Sequence, residues 1–387
     1  MKLQFRLPAR ARVLVFDRFG TQGLMPLLSP GNHTVFENRQ SELNLWVVLL
    51  TIIRLRFSWR DYCVTYIRLT RAKIVITCID SNATFYSLKA ALPNVYFVAV
   101  QNSIRGNASP VKNGDLWSML QRSEYQPPTI DLVATFGQAH SDLYKQHIRC
   151  DTAEVGSTRN NMVSTPLKQS RNTPCRVGLI SGYVEFPRRA ESPNDFVSNI
   201  AWYYEDREVT VSDYVAADKK VAALVASASQ AEGWDFRIVG KRPPDLPFER
   251  DFYADACGVT PFTFMPKQAE DFSYNTLDQC DIVVTVDSTL GYEMIARGSR
   301  VLFVTARAHL LGGPGSEQYR FGFPRDFGNE GPFWTSTLDA QHLARVMKSL
   351  LAMSDREWHD ASEFVRQDLM VFDPYNTQLR AIIAKFD

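Results

Sequence analysis

Along the first half of the chain, hydrophobic positions alternate between two patterns, one typical of buried strands and one typical of helices. Short runs rich in β-branched residues, such as KIVITCI and VYFVAV, predict buried strands. Between them, apolar residues recur at helical spacing. Strand, helix and strand in this order predict a parallel, doubly wound sheet. The predicted strands are 12–17, 73–79, 95–100 and 131–135, and the predicted helices are 43–70 and 83–91.

The same alternation restarts after a polar segment. Residues 157–175 combine Ser, Thr and Asn with two prolines, which favours a linker. The helix predicted at 213–230 begins with Ser212 or Asp213 as its cap. Two alternating α/β halves predict two Rossmann-like domains that face each other across a cleft. The further predicted strands are 175–181, 235–240, 281–286 and 301–305, and the further predicted helices are 272–280, 290–297, 338–352, 354–370 and 375–386.

Composition and charge narrow the class of protein only a little. The 387 residues are enough for two cores, and 43 basic against 42 acidic residues give a net charge of +1. This balance predicts no general attraction to nucleic acid or to a membrane, and it leaves a local charged patch open. The six cysteines are scattered without a C-x-x-C pair, which disfavours a zinc site and fits a reducing cytoplasm.

The most apolar stretch is LNLWVVLLTII at 43–53, which stops at Arg54 and Arg56. It is too short to span a bilayer, for which about 20 residues are needed. We therefore expect a buried helix here, in preference to a peripheral contact with a membrane. The start of the chain has only the short apolar run VLVF and no small-residue cleavage site, so it does not predict a signal peptide.

The segment VDSTLGYEMIARG at 286–298 carries the strongest candidate chemistry. Asp287, Ser288 and Thr289 follow a predicted strand, and α/β proteins bind ligands at the carboxyl edge of a parallel sheet. Ser288 and Thr289 begin the next helix, whose unpaired N–H groups and dipole favour a phosphate. Glu293 lies about one turn further on, where a carboxylate can accept bonds from ribose hydroxyls. The alternative is a plain N-cap with a favourable first turn.

A second polar group is expected at the strand ends of the first half. Asp80 and Asn82 follow one predicted strand, and Gln101, Asn102 and Arg105 follow the next. Neighbouring strand ends of a parallel sheet meet at one edge. Asp80 is then a candidate general base or nucleophile. Arg105 could hold a sugar carboxylate or a leaving phosphate through paired bonds. The alternative is an Asp–Arg pair that ties two loops together.

Weaker candidates lie in loops. Ser157 and Arg159 belong to the segment GSTRNN, for which substrate contact and a simple turn are both open. Lys241, after Gly240 in the segment that follows DFRIVG, could neutralise a phosphate or be an ordinary loop charge. His140 is expected on a helix surface. No Asp-x-Asp pair and no histidine pair at metal-ligand spacing occurs, so no metal site is expected.

The pattern Glu293-x-x-Ala296-x-Gly298, followed by the apolar strand VLFV, resembles the sugar-nucleotide half of glycosyltransferases with the GT-B fold. The chain also resembles the bacterial family of surface-carbohydrate or O-antigen biosynthesis transferases and, more distantly, retaining β-Kdo transferases that use CMP-activated sugars. Ser103 departs from the family pattern, which has Gly after Gln-Asn. The collinear pieces that carry the resemblance are LNLWVVLL, YIRLTRAKIVITCIDSNATFY, VAVQNSIRG, TFGQAHSDLY, VGSTRNN, SYNTLDQCDIVVTVDSTLGYE, FGFPRDFG with GPFW, and LMVFDPYN.

This resemblance implies a fold and a division of roles. The expected fold is α/β, GT-B, with an acceptor domain over 1–165, a nucleotide-sugar domain over 174–370 that ends in closing helices, and a last helix over 371–387 that packs back on the first domain. The implied catalytic residues are Asp80, Asn102 and Arg105. The implied donor-binding residues are Asp287, Ser288, Thr289, Glu293, Gly240, Lys241 and Pro266, and the implied acceptor residues are Asn82, Gln101, Ser157 and Arg159.

The implied reaction is the metal-independent transfer of a sugar onto a glycan or lipid-linked glycan of lipopolysaccharide, O-antigen or capsule. The preferred donor is a CMP-linked acidic sugar such as Kdo, with UDP- or GDP-hexoses as alternatives, and no cofactor is expected. Asp80→Asn is expected to abolish transfer. The implied location is the cytoplasm, and two matters stay open: peripheral association with the inner face of the inner membrane, and a place in a multi-domain synthase.

Two other classes of function remain open at this point. One is a non-catalytic protein that binds sugar nucleotides or glycans on the same scaffold. The other is a sugar-nucleotide epimerase of GT-B-like fold, which needs paired acid and base groups around the donor. In this sequence His309 and Glu317 would have to supply them.

Overall fold

The structure is a computed structural model of the chain. It describes residues 2–37, 42–106, 114–122, 127–165, 173–184, 200–204, 207–246, 248–269, 271–313 and 315–386.

Strands form at each of the apolar runs that predict them, with ends that differ by a residue or two. The structure adds short strands where the sequence pattern is weak. The strands are β1 (Lys2–Gln4), β2 (Val13–Phe16), β3 (His33–Phe36), β4 (Glu42–Asn44), β5 (Ile74–Thr77), β6 (Tyr96–Val100), β7 (Thr129–Thr135), β8 (Arg149–Glu154), β9 (Arg176–Ile180), β10 (Ile200–Tyr204), β11 (Arg207–Thr210), β12 (Asp235–Val239), β13 (Thr263–Met265), β14 (Ile282–Thr285), β15 (Val301–Val304), β16 (Glu330–Gly331) and β17 (Trp334–Thr335).

Helices fill most of the connections between these strands. They are α1 (Leu45–Ile53), α2 (Trp59–Thr70), α3 (Ala83–Leu88), α4 (Leu116–Gln121), α5 (Gln138–His147), α6 (Val211–Glu232), α7 (Phe248–Cys257), α8 (Phe272–Leu277), α9 (Thr289–Ala296), α10 (Ala306–Leu311), α11 (Ala340–Ala352), α12 (Asp355–Phe364) and α13 (Thr377–Ala384). Within the part of the chain that is described, no helix has the length and apolar character needed to cross a membrane.

Contacts divide the chain into two units. The first unit comprises Met1–Ser103, Leu116–Met162 and Val371–Asp387. The second unit comprises Ile104–Asp115 and Val163–Met370. The first unit is therefore built from both ends of the sequence.

The first unit contains a six-stranded sheet in the order β3-β2-β5-β6-β7-β8, and all its pairings are parallel. Its inner strands β2, β5 and β6 are nearly unbroken apolar runs, as expected for the part of a sheet that is covered on both faces. All residues of β2 and β5 are buried. On one face, Leu379 and Ile383 of α13 pack in the same cluster as Val15 and Ile76.

The second unit contains a seven-stranded sheet in the order β13-β12-β9-β14-β15-β17-β16. Its pairings are parallel except for β16 with β17 at one edge. From β9 the chain runs outward to β12 and β13, and then returns to β14 on the other side of β9. The pair β9 and β14 therefore marks the switch point at which doubly wound sheets bind ligands.

Helix α6 begins one or two residues before the predicted cap. Thr210, and neither Ser212 nor Asp213, is its N-cap, because the Thr210 hydroxyl accepts a hydrogen bond from the Asp213 N–H at 3.1 Å. The Asp213 carboxylate in turn accepts one from the Thr210 N–H at 3.0 Å, which completes a capping box. Gly233 ends the helix in the left-handed region, at φ 68°.

The prediction of a buried helix at 43–53 is wrong. The helical pattern at 43–70 is broken into α1 and α2, and Ser58 caps α2. In α1 only Val47 and Thr51 are buried, whereas Trp46 and Ile53 on the outer face are exposed. The run is uniformly apolar, so its periodicity could not show that one side faces solvent.

Two further expectations differ from the structure. His140 lies in α5 but is buried, with its ring edge-on to Phe136 at 5.6 Å between centroids. The start of the predicted linker at 157–175 is part of the first unit, because Asn160 and Asn161 are buried there. Residues 166–172 of that linker lie outside the described part of the chain.

Candidate functional site

The start of α9 lies at the carboxyl edge of the second sheet. The apolar strand β14 is fully buried, and the Thr285 hydroxyl accepts a hydrogen bond from the Ser288 N–H at 3.1 Å. Gly291 lets the helix approach the strands, since a Cβ there would lie 2.6 Å from Thr285 Cγ2 and 2.8 Å from Phe303 Cζ. These contacts fix the beginning of the helix at the switch point.

Ser288 is the N-cap of α9. Its hydroxyl accepts a hydrogen bond from the Leu290 N–H at 3.3 Å, and its carbonyl accepts one from the Gly291 N–H at 2.9 Å. The Thr289 N–H has no hydrogen-bond partner among the described residues. Ser288 and Thr289 are both half-buried, so solvent reaches them. The plain N-cap geometry is present, and one N–H group at the helix start remains available to an anion.

Ser288 lines a small recess of about 50 Å³ between the ends of β9 and β14. Asp287 and Lys241, two of the other predicted donor-binding residues, line the same recess. Gly182, which follows β9, lines it from the other side of the switch point. Thus the structure brings Lys241 next to Asp287 and Ser288, from which it is distant in the sequence.

Arg307 supplies the buried charge beneath this recess. Its guanidinium donates to the carboxylates of Asp218 and Asp287, and its Nε donates to the Tyr214 carbonyl at 3.1 Å. The Tyr214 ring lies 4.2 Å from the guanidinium carbon. Burial by itself lowers the pKa of Arg307, but Asp218 and Asp287 raise it well above its ordinary value. Arg307 therefore carries a fixed positive charge that two carboxylates balance.

Sequence reasoning missed Arg307, Asp218 and Tyr214. For Arg307 a signal was present, because it follows β15 closely, just as Ser288 follows β14. Asp218 and Tyr214 lie within the long helix α6, where nothing in the local pattern distinguishes a buried charge from a solvated one.

The loop after β12 uses its own N–H groups internally. The Gly240 N–H donates to the Met265 carbonyl at 2.9 Å, and the Lys241 and Arg242 N–H groups each donate to the buried Glu249 carboxylate at 2.9 Å. Gly240 therefore offers no backbone donor to a ligand, contrary to its predicted role. What the loop can present to the recess is the Lys241 side chain.

Lys241 is solvent-exposed, although protein atoms surround its amine. This crowding lowers the pKa of Lys241, and the nearby Asp218 opposes the shift. Water that reaches the exposed Lys241 side chain stabilises its charged form. The ammonium group is thus an accessible positive charge at the recess.

Pro266 lies elsewhere. It lines a separate pocket of about 530 Å³ together with apolar side chains of the α7 and β13 region, including Phe262 and Phe264. It is not among the residues that line the recess at Ser288. The resemblance implies that the loop at Pro266 holds the base of the donor rather than its phosphate, and that role stays a prediction.

Glu293 lies in the interior of α9 and is only 8% exposed. Its carboxylate accepts a hydrogen bond from the Tyr274 hydroxyl at 2.8 Å. The Tyr274 ring in turn has the Arg297 guanidinium 5.4 Å from its centroid, and Arg297 is paired with Asp278 at 2.5 Å. Glu293 is held in a fixed orientation by this group, and ribose binding by its carboxylate stays a prediction.

In the first unit, Asp80 is fully buried. Its carboxylate accepts a hydrogen bond from the Tyr144 hydroxyl, and its carbonyl accepts one from the Tyr86 hydroxyl at 2.7 Å. A base or nucleophile must reach its substrate. The role predicted for Asp80 therefore requires an exposure that this structure does not give it, and its contacts favour fixing the loop after β5.

Amide side chains join the strand ends around Asp80. Asn102 donates to the Cys78 carbonyl at 2.5 Å. The buried Gln101 accepts from the Phe136 N–H at 2.9 Å and donates to the Ser103 carbonyl at 3.1 Å. These bonds bring the ends of β5, β6 and β7 to one edge, as parallel strands predict.

The predicted catalytic residue Asn102 and the predicted acceptor residues Asn82 and Gln101 differ in exposure at this edge. Asn82 caps α3 by accepting from the Thr84 N–H at 3.0 Å, and it is half-buried. Asn102 is exposed, whereas Gln101 is buried. Asn82 and Asn102 are thus the predicted residues that present polar surface here, and Gln101 has a structural position.

Arg105 does not belong to the unit that contains Asp80. The segment Ile104–Asp115 is part of the second unit. There Gly106 packs so tightly against the Gln318 side chain that a Cβ at this position would overlap it. The prediction that Arg105 belongs to the acceptor domain is therefore corrected, because the chain changes unit directly after Ser103.

Ser157 is buried, and its hydroxyl accepts a hydrogen bond from the Asn160 N–H at 3.4 Å. Arg159, in the same turn, is exposed. The neighbouring Asn161 donates to the Val155 carbonyl at 2.7 Å, so the segment is a tightly bonded turn. Of the two alternatives left open for this segment, the structure shows the turn, and Arg159 alone keeps a surface position.

Comparisons with known proteins agree with this architecture. A protein-family model described as "putative O-antigen biosynthesis protein" matches residues 98–387. A search of curated proteins gives no match. Among solved structures, the chain is similar to a protein of Listeria monocytogenes named "putative UDP-N-acetylglucosamine 2-epimerase", with 14% identity, a TM-score of 0.52, and coverage of 98% of this chain and 97% of the other.

Two further structures show the same fold. A UDP-N-acetylglucosamine 2-epimerase has 14% identity and a TM-score of 0.52, covering 97% of this chain and 95% of its own. The wall teichoic acid polymerase TagF has 10% identity and a TM-score of 0.50, with 97% and 89% covered. Together with the two parallel sheets, these likenesses establish the GT-B fold with two Rossmann-like domains. Since the family match spans most of the sequence, the chain belongs to the O-antigen biosynthesis protein family.

Proposed function

We propose that the protein is a glycosyltransferase that takes a sugar from a nucleotide donor and transfers it to a bacterial surface glycan. The observation that carries the proposal is the recess at the switch point of the second sheet. Ser288 and Lys241 line this recess, and Thr289 follows Ser288 as the first residue of α9, at the position where doubly wound folds bind nucleotides. Membership in an O-antigen biosynthesis family supplies the class of acceptor.

The recess suits a phosphate rather than a whole nucleotide. Its volume of about 50 Å³ is on the scale of one phosphate group and far below that of a pocket for a whole nucleotide. The N-terminus of α9 attracts negative charge, and Lys241 adds an exposed ammonium group. Arg307 attracts a phosphate less strongly than an unpaired arginine would, because the carboxylates of Asp218 and Asp287 balance its positive charge. A donor phosphate would occupy this recess, with the nucleoside and the sugar outside it.

The donor nucleotide is the finer part of the proposal. The preference for a CMP-linked acidic sugar such as Kdo rests on the distant resemblance to β-Kdo transferases. The structural neighbours include epimerases named for UDP-N-acetylglucosamine, which supports UDP-sugars as the main alternative. A GDP-hexose has no separate support.

The test is a calorimetric titration of the full chain with CMP, UDP and GDP, followed by a transfer assay with sugars linked to whichever nucleotide binds. The proposal predicts saturable binding of one nucleotide and release of that nucleotide when a surface-glycan acceptor is added. Absence of binding to all three would remove the proposal. Binding without turnover in any acceptor mixture would favour the non-catalytic alternative.

The epimerase alternative finds less support in the residues. His309 and Glu317 are both exposed, and within the described part of the chain no hydrogen bond joins them. Glu317 instead accepts from the Gly315 N–H at 2.7 Å. Release of a C2-epimer from a UDP-sugar, without an acceptor, would nevertheless decide for an epimerase.

The acceptor side of the reaction is proposed with a changed set of residues. Asn82 and Asn102 present polar groups at the edge of the first sheet. Arg159 is exposed in the turn that contains the buried Ser157. Asp80 is retained as a positioning residue. Transfer is proposed to need no metal. Arg105, which belongs to the second unit, is retained as a residue that binds an anionic group of a substrate.

A further inference from the structure

Helix α1 carries an apolar face that the protein does not cover. Val47 and Thr51 point inward, whereas Trp46, Leu49 and Ile53 lie on the outer side and are 47%, 46% and 65% exposed. A surface helix of a soluble domain ordinarily places polar residues on its outer side. The outer side of α1 has the opposite character.

The turn after α1 extends this surface. Leu55 and Phe57 are the most exposed of its side chains, at 81% and 76%. Leu55 also adopts φ 55°, in the left-handed region that is unfavourable for a branched side chain. This conformation ends α1, because the Leu55 N–H donates to the Ile52 carbonyl at 2.8 Å and the Arg56 N–H donates to the Thr51 carbonyl at 3.2 Å. The exposed Leu55 side chain itself contributes nothing to the core.

The N-terminal strand brings a second apolar segment to the same place. Trp46 donates from Nε1 to the Phe5 carbonyl at 2.8 Å, and Asn44 donates from Nδ2 to the Arg6 carbonyl at 2.7 Å. Phe5 and Leu7 are 68% and 59% exposed. We call the exposed side chains of residues 3–7 and 46–57 the α1 face.

Positive charge surrounds the α1 face. Residues 2–10 and 42–61 contain six basic and two acidic residues, in a protein whose net charge is only +1. Arg6, Arg54 and Arg56 are exposed. The two acidic residues, Glu42 and Asp61, each lie 3.5 Å from a basic side chain of the same segments. The excess charge that faces solvent is therefore positive.

We propose that the α1 face docks on a lipid bilayer with anionic headgroups. Its apolar and aromatic side chains would enter the boundary between headgroups and acyl chains, and its arginines would contact lipid phosphates. A short helix with tryptophan and arginine at its surface suits an interfacial position, and α1 is too short to span a bilayer. The protruding Leu55 and Phe57 suit insertion better than they suit a flat protein interface.

The test is flotation of the full chain with vesicles of phosphatidylcholine, with and without phosphatidylglycerol. We expect binding to the anionic vesicles. Leu55→Ser with Phe57→Ser should weaken it at least about tenfold, because two apolar insertions are lost. Arg54→Gln with Arg56→Gln should reduce the preference for phosphatidylglycerol. All four side chains are exposed, so an unchanged melting temperature should show that the variants fold.

Val259→Ser is the control, since Val259 is a fully exposed apolar residue of the second unit. It should bind vesicles like the unchanged protein. Three outcomes would overturn the proposal: no flotation with anionic vesicles, flotation that the Leu55 and Phe57 changes leave unaltered, or dimers in solution that these changes dissociate. The last would show that a second copy covers the face. None of these outcomes depends on nucleotide binding, so the inference stands or falls independently of the proposed function.

Discussion

Asn161 donates a hydrogen bond to the side-chain oxygen of Asn376 at 2.8 Å, although 215 positions separate them in the sequence. Both side chains are buried. Asn161 also accepts from the Asp373 N–H at 3.1 Å, and Asn376 donates to the Thr158 carbonyl at 2.8 Å. The two amides thus join the turn after β8 to the last segment of the chain.

Asn376→Ala should lower the free energy of unfolding by about 2–3 kcal/mol. The change leaves the Asn161 amide and the Thr158 carbonyl without their buried partner, and each unsatisfied buried group costs about 1–3 kcal/mol. Urea denaturation measures the effect. Asn275→Ala is the control, because Asn275 is exposed and bonds only within one helical turn. Equal effects of the two changes would contradict the role of the Asn161–Asn376 pair.

Arg307→Met should destabilise the protein by about 3–5 kcal/mol, because it leaves Asp218 and Asp287 without their buried counter-charge. Adding Asp218→Asn should recover part of this loss, since one of the two stranded carboxylates is then neutral. Chemical denaturation of the single and double variants checks this. Arg345→Met, a change at an exposed arginine, is expected to have little effect. Additive effects of Arg307→Met and Asp218→Asn would disprove the coupling.

Ser288→Ala with Thr289→Ala should weaken nucleotide binding by about 1–3 kcal/mol, the range for hydrogen bonds to a charged group and a lost buried partner. Calorimetry with the nucleotide that binds the unchanged protein provides the measurement. Ser354→Ala is the matched control, because it removes the N-cap serine of α12 in the same unit. An unchanged affinity of the double variant for the nucleotide would show that the start of α9 does not bind the phosphate.

Asp80→Asn should leave transfer within a few-fold of the unchanged rate, contrary to the sequence-based expectation that it abolishes transfer. The asparagine side chain can still accept the hydrogen bond from Tyr144, which preserves the loop after β5. Asp80→Ala should instead lower stability by about 1–3 kcal/mol. Complete loss of transfer in Asp80→Asn, with donor affinity and stability intact, would restore Asp80 as a chemical participant.

Glu330→Gln should reduce stability slightly at neutral pH and have no effect in acid. Although burial raises the pKa of Glu330, hydrogen bonds from Thr335 and Thr337, both at 2.9 Å, lower it below the ordinary value of 4.5. The carboxylate therefore stabilises the fold above pH 4.5 and loses this effect as the pH falls through its lowered pKa. Glu330 is exposed, so less than about 1 kcal/mol is expected. Urea denaturation at neutral and acidic pH checks the difference.

The order of strands and helices follows from the sequence because buried parallel strands are almost purely apolar. β5 and β14 show this, since the residues IVIT and IVVT are all buried. The position of α9 was also predictable, because Ser288 at its start and Gly298 after its end are typical capping residues. For these strands and for α9, the predictions from hydrophobic pattern and capping residues agree closely with the observed structure.

Side-chain partners and exposure were much less predictable. Asp80 looks like any polar residue after a strand, and only the position of Tyr144 reveals its burial. The Gly240–Arg242 loop appears open in sequence, but Glu249 from α7 occupies its N–H groups. The outer side of α1 could not be distinguished from a core helix, because an apolar residue on either side gives the same pattern. These features depend on tertiary contacts between distant segments.

Helix α13 adds a constraint on how the protein matures. The core of the first sheet includes Leu379 and Ile383, which follow the whole of the second unit in the sequence. The β-strands of that sheet are synthesised long before them. During synthesis one face of the early strands therefore stays incompletely covered until α13 has been made. The residues of the second Rossmann domain are nearly contiguous, and all of them are synthesised before α13. The core of the first sheet is therefore completed only after the second domain has been synthesised.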